Sequence, residues 1–167
     1  LEILRPTPHT AQVWLNRPDV RNAFNDGVIA ELTQAFAELG ADPQLRCITL
    51  AGRGKAFCAG ADLHWMKAMA GYDWDANRAD AQALADMLHA IYSCPVPVVG
   101  RIHGDCYAGG VGLAAVCDVL VAAQGVQFCL SEARLGLLPA TIGPYVVRAL
   151  GVQGRIHGLG AISLRGQ

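Results

Sequence analysis

The strongest constraint on the fold is an alternation along the chain. Short apolar runs bounded by Gly and Pro turns trade places with segments whose apolar residues recur at helical spacing. Ala11-Gln12-Val13-Trp14-Leu15 reads as a strand with Val13 and Leu15 on one face, and Asn16-Arg17-Pro18-Asp19 as the turn after it. Asn25 or Asp26 can cap a helix whose Val28, Leu32, Ala35, Phe36 and Leu39 share a face, with Gly40 closing it. Leu45–Ala51 is a compact apolar strand. A helix from about Ala76 to Ser93 carries Leu84, Met87, Leu88 and Ile91, and Pro95 and Pro97 stop it. Val96–Ile102 reads as a strand, Leu113, Ala114 and Val116 as a helix, and Val119–Ala122 as a buried strand. Gly143-Pro144 opens a short helix, Tyr145–Leu150, that Gly151 closes. Strands alternating with helices predict a layered α/β fold with much parallel pairing.

The 167 residues suffice for one domain with a real core. Residues 1–152 read as that core. Residues 153–167 read as an irregular tail, because Gly154, Gly158, Gly160 and Gly166 leave no helical or strand period. A formal net charge of −1 gives no electrostatic case for nucleic acid. No apolar run approaches the roughly 20 residues of a membrane span. None of the six cysteines forms a C-x-x-C pair or sits near a His at zinc-site spacing. They read as reduced, buried thiols of a cytoplasmic protein.

Two small-residue segments carry the chemistry. The first is Phe57-Cys58-Ala59-Gly60-Ala61-Asp62-Leu63, and the second is Gly104-Asp105-Cys106-Tyr107-Ala108-Gly109-Gly110-Val111-Gly112-Leu113. Small residues let backbone N–H groups approach a ligand closely. Two such groups converging on one point stabilise an oxygen that gains negative charge. Glu132, in Leu130-Ser131-Glu132-Ala133, is a carboxylate that could move the proton whose loss creates that charge. Its apolar neighbours Phe128, Leu130, Leu135 and Leu137 favour partial burial and a raised pKa.

Asn16-Arg17-Pro18, Asn22-Ala23-Phe24, the first small-residue segment, Ala108-Gly109-Gly110, Cys117-Asp118 and Ser131-Glu132 occur in an order that resembles the enoyl-CoA hydratase/isomerase (crotonase) superfamily. Gly60-Ala61-Asp62-Leu63-His64-Trp65-Met66, Leu130–Leu137 and Pro139–Tyr145 look most like its methylglutaconyl-CoA hydratase branch. The resemblance implies a β/β/α superhelix of repeated ββα units. It implies an oxyanion hole made by the N–H groups of Ala61 and Gly109, with Glu132 as acid and base. The implied substrate is an acyl-CoA thioester, so coenzyme A arrives with the substrate and no metal or redox cofactor is required. Arg21, Ala59, Gly60, Ala61, Asp62, Leu63, Gly109 and Gly110 fall at the implied substrate- and CoA-binding positions. The backbone at Ala59 would reach the adenine, and Arg21 and Lys55 could meet phosphates. The family's C-terminal helical region, which completes the acyl pocket and joins subunits into a trimer or a dimer of trimers, is expected to be missing from this sequence, since residues 153–167 do not read as its start.

The chain departs from the family at Gly112, where the two-carboxylate hydratases carry a second Glu. One carboxylate suffices for isomerisation, and hydration with one stays open if the same group handles water and then returns the proton. Asp62 reads as a loop-holding residue and Asp118 as a cap or partner to a neighbour. Asp105, His64 and His103 are further candidates by position, and Trp65 and Met66 read as pocket wall or helix core. Two other readings stand beside the enzyme. One is a shortened family member that binds or assembles without turnover. The other is a dinucleotide-binding oxidoreductase, suggested by the G-x-G-x-x-A form of Gly110–Ala115.

Overall fold

The computed structural model describes residues 1–132 and 136–157. Strand β1 (Glu2–Thr7) pairs antiparallel with β2 (Thr10–Leu15). The chain then passes through a single 3-10 turn at Pro18–Val20 into helix α1 (Asp26–Gly40) and strand β3 (Cys47–Gly52). Helices α2 (Leu63–Met69) and α3 (Trp74–Tyr92) precede β4 (Val98–Ile102). After these come β5 (Cys106–Tyr107), α4 (Gly109–Ala115), β6 (Val119–Ala122), β7 (Phe128–Cys129) and α5 (Gly143–His157). The main sheet has the order β1-β2-β3-β4-β6, and every pairing after the first is parallel. A second, two-stranded sheet joins β5 and β7.

The expected α/β alternation is therefore present, and its periodicity explains the core. Val13 and Leu15 of β2, Ile48 and Leu50 of β3, and Val98 and Ile102 of β4 are fully buried. Leu32 and Phe36 of α1 and Met87, Leu88 and Ile91 of α3 close over them. Each such side chain contributes roughly 1.5–3 kcal/mol by leaving water. Asn25 caps α1 as expected, its side chain accepting from the Val28 N–H at 3.1 Å.

Several expectations need correction. Gly40 is the last helical residue, and the cap is Ala41 in right-handed conformation. The strand Val119–Ala122 forms but is exposed: Val119 and Val121 are 54% and 58% accessible. It is the edge strand of the main sheet, paired there only with β4. Gly151 does break helical geometry (φ 73, ψ −175), but α5 resumes and runs to His157. The irregular tail expected from residue 153 is thus helical at its start, while residues 158–167 lie outside the described residues. Four elements escape the sequence pattern: β1, α2 and the two-residue strands β5 and β7. Strand β1 contains Pro6 and is mostly exposed, so it shows no apolar alternation. Helix α2 has seven residues, none buried, too few to display a period.

Candidate active site

Long-range backbone pairing sets the two small-residue segments side by side. A parallel bridge joins Phe24 to Ala61 and another joins Cys58 to Cys106. The Phe24 N–H donates to Gly60 O and the Asp62 N–H to Phe24 O, both at 2.9 Å. That pairing uses the groups on either side of Ala61, and its own N–H donates to nothing among the described residues. In the second segment Ala108 holds φ 48 and ψ −122, a conformation that costs an alanine about 1–3 kcal/mol. It turns the chain into α4, of which Gly109 is the first residue, and the Gly109 N–H likewise has no acceptor among the described residues. A Cβ on Gly60 would lie 2.8 Å from Ala108 Cβ and 3.1 Å from Gly109 N, so Gly60 (φ 92) must be glycine for the segments to meet this closely.

The supports come from residues far away in sequence. Arg17 donates to Ala23 O at 2.6 Å and to Asp62 Oδ2 at 2.9 Å. The other Asp62 oxygen caps α2 at the His64 N–H, 2.8 Å away. That backbone bond, with the Arg17 guanidinium adding to it, lowers the Asp62 carboxyl below its ordinary value. Asn22, buried and left-handed (φ 56), donates to Arg53 O and Ala56 O and accepts from the Arg17 N–H. The Asn-Arg-Pro and Asn-Ala-Phe motifs are therefore braces. Their roles follow from contacts that no local pattern announces.

Ala61, Gly109 and Glu132 line one cleft of about 540 Å³. Its walls are mostly apolar: Phe24, Leu63, Trp65, Met66, Met69, Leu84, Leu137, Leu138 and Ile142 take part. Burial raises the Glu132 carboxyl above its ordinary value of 4.5, and its Oε2 is shielded and without a partner among the described residues. Because folded Glu132 holds its proton more tightly than unfolded Glu132, it costs stability as pH rises from the ordinary value through its raised one. Glu132→Gln removes that cost. Scanning fluorimetry should find the variant melting above the parent at about pH 7, with the gap closing as pH falls below that of an ordinary carboxylate.

The remaining candidates divide. Ala59 and Leu63 line the cleft, while Arg21, Gly60, Asp62 and Gly110 do not. The Ala59 N–H donates to Arg21 O at 3.0 Å. Arg21 and Lys55 are exposed outside the cleft. His64 is exposed, His103 bonds Gly54 O at 2.8 Å, and the Asp105 carbonyl accepts from Phe57 and Cys58; none of the three lines the cleft. Asp118 accepts from the Val98 N–H at 2.8 Å, as expected of a partner to a neighbouring strand.

Glycines 110 and 112 are packing positions. A Cβ on Gly110 would lie 2.4 Å from Cys58 O, and one on Gly112 would lie 2.3 Å from Ile142 Cγ2. Ile142 fills the place of a side chain at 112. Burial pushes the Cys58 thiol up to about 12, so it stays protonated and inert. Among the described residues no group of His, Cys, Asp or Glu is placed to hold a metal, and no helix is long and apolar enough to cross a membrane.

Residues 8–155 match the enoyl-CoA hydratase/isomerase family. An enoyl-CoA hydratase of Alternaria alternata is 40% identical over 143 residues, covering 86% of this chain and 46% of the relative. A mitochondrial Delta(3,5)-Delta(2,4)-dienoyl-CoA isomerase of Mus musculus is 34% identical over 146 residues, covering 82% and 44%. The chain spans about half the length of these curated relatives. The crystal structure of an enoyl-CoA hydratase from Shewanella pealeana superposes with a TM-score of 0.92 at 36% identity, over 99% of this chain and 62% of that one. One from Mycobacterium smegmatis gives 0.90 at 32%, over 98% and 64%.

Proposed function

Since the chain belongs to the enoyl-CoA hydratase/isomerase family, we propose that it adds water reversibly across the 2,3-double bond of an enoyl-CoA thioester. The observation that carries the reading is the meeting of Ala61, Gly109 and Glu132 on one cleft. The thioester oxygen accepts from the N–H groups of Ala61 and Gly109. Attack at C3 sends the double-bond electrons through C2 onto that oxygen, where one well-placed donor is worth about 3–4 kcal/mol. Glu132, at the same cleft, carries the proton to C2 as the enolate collapses. Burial raises its pKa above the ordinary carboxylate value, which favours its holding a proton that it can pass to C2.

One observation favours a second reading. Ile142 occupies the space of a second carboxylate at position 112, and a single Glu suffices to move a proton between C2 and C4. Following crotonyl-CoA and a 3-enoyl-CoA in parallel separates the two. Loss of the conjugated thioester with formation of 3-hydroxyacyl-CoA supports hydration. Conversion of the 3-enoyl thioester alone supports isomerisation, and turnover of neither leaves only binding.

The likeness of residues 60–66 and 130–137 to the methylglutaconyl-CoA hydratase branch supports a short branched acyl group, of the kind met in branched amino acid degradation. The expected kcat/KM for 3-methylglutaconyl-CoA is at least about tenfold above that for crotonyl-CoA, a difference of about 1.4 kcal/mol in transition-state binding. The reverse order removes the branch assignment. Trimeric assembly is supported by the apolar edge that β6 exposes at Val119, Leu120 and Val121, and a cytoplasmic location by the free thiols, of which Cys58 and Cys106 are buried and the other four half-buried.

A further inference from the structure

Resting on that reading, we propose that Asp80 is a second catalytic carboxylate of the cleft. With the Trp65 indole N–H, it holds the water that adds to C3.

Only a few buried side-chain polar atoms in the described residues lack a hydrogen-bond partner. Three of them, Trp65 Nε1, Asp80 Oδ2 and Glu132 Oε2, belong to residues lining this one cleft. A buried polar group without a partner costs free energy that a bound partner restores. Glu132 has its task at C2. Trp65 and Asp80 have none in the reaction as drawn above, and neither caps a helix or braces a loop through these atoms. Together they offer one donor and one acceptor. A water molecule is complementary to that pair, since its oxygen accepts from the indole N–H while one of its O–H groups donates to the carboxylate.

Position supports the assignment. Trp65 packs edge-on against Phe24 with ring centroids 6.4 Å apart. A Cβ on Gly109 would lie 2.4 Å from Phe24 Cζ, so Gly109 and Trp65 have Phe24 as a common neighbour on the cleft lining. Asp80 reaches the same cleft from α3 with Ala81 and Leu84, one helical turn of wall. Asp80 and Glu132 are the ionisable residues among the described cleft lining. The absence of a carboxylate at Gly112 is then met from another element.

The step balances. Asp80 takes a proton from water as its oxygen bonds to C3. The C2–C3 π electrons move to C1–C2, and the thioester π electrons move onto the oxygen held by Ala61 and Gly109. Protonated Glu132 then gives its proton to C2 as the C=O bond reforms. Asp80 afterwards returns its proton through solvent, and Glu132 regains one.

The test compares the parent with Asp80→Asn, Trp65→Phe and Glu132→Gln in two assays. One is hydration of crotonyl-CoA. The other is exchange of the C2 hydrogens of butyryl-CoA in D2O, which needs the hole and Glu132 but no added water. Asp80→Asn should lower kcat for hydration by at least about 10²-fold, with KM and the exchange rate within about threefold of the parent, and Trp65→Phe should act in the same direction more weakly. Glu132→Gln should lose both reactions. Retained exchange reports that the variant is folded with its hole intact. Asp80→Asn hydration within about threefold of the parent overturns the proposal, as does an equal loss of hydration and exchange. A parent that exchanges but never hydrates overturns the water site and leaves the hole and Glu132 standing. A parent that does neither overturns the underlying reading as well.

Discussion

Replacing Glu132 by Gln is expected to lower hydration turnover by about 10²–10⁴-fold with KM changed no more than a few-fold, the range for loss of a positioned proton carrier. Gln keeps the size and hydrogen-bonding shape of the side chain but cannot exchange the proton. On the proposed reading the substrate is held mainly by backbone amides and apolar wall, so binding should survive. Steady-state kinetics on crotonyl-CoA make the measurement. A drop of less than about tenfold would show that some other group carries the proton to C2.

Gly109→Ala should cost turnover by about 10²–10³-fold, the size of losing one donor from an oxyanion hole. The new methyl would sit 2.4 Å from Phe24 Cζ and 2.8 Å from Cε1. The ring is 2% exposed and cannot swing into solvent. Phe24 is also the residue whose backbone pairs with Gly60 and Asp62, so pushing it shifts the loop that carries the Ala61 amide. One methyl therefore misaligns both donors. Adding Phe24→Leu, which makes room for the methyl, should recover a measurable part of the lost kcat. A Gly109→Ala enzyme within a few-fold of the parent would mean that the Gly109 amide does not grip the thioester oxygen.

Much of the fold was legible because burial imposes a period. Val13 and Leu15 alternate along β2, and Leu84, Leu88 and Ile91 recur along α3, so each element announces its own buried face. Elements with little buried surface gave no such signal, which is why β1 and α2 went unread. Strand β6 was recognised from its apolar run yet misplaced as buried. An apolar run reports preference, and whether anything packs over it depends on the rest of the chain.

The site divides in the same way. The two small-residue segments and Glu132 were conspicuous by their chemistry, the family resemblance implied Ala61 and Gly109 within them, and the cleft gathers all three. Arg17 and Asn22 were read only as parts of a motif. Their work is done across 45 and 34 residues of sequence, on Asp62 and Ala56, and local spacing cannot encode such contacts. Asp80 was not singled out from the sequence, because only the packing of α3 places it on the cleft.

The sequence by itself determined which segments become strands and helices, and which residues have the chemistry for an enolate-forming reaction. Both are local properties, set by side-chain size, polarity and spacing. Only the tertiary structure decided that the Ala61 and Gly109 amides stay unpaired beside one cleft, that Ile142 takes the space at Gly112, and that Asp80 shares a wall with Glu132. Those outcomes depend on which distant surfaces meet when the chain buries its apolar faces, and that is fixed by packing between elements rather than by the order of residues within any one of them.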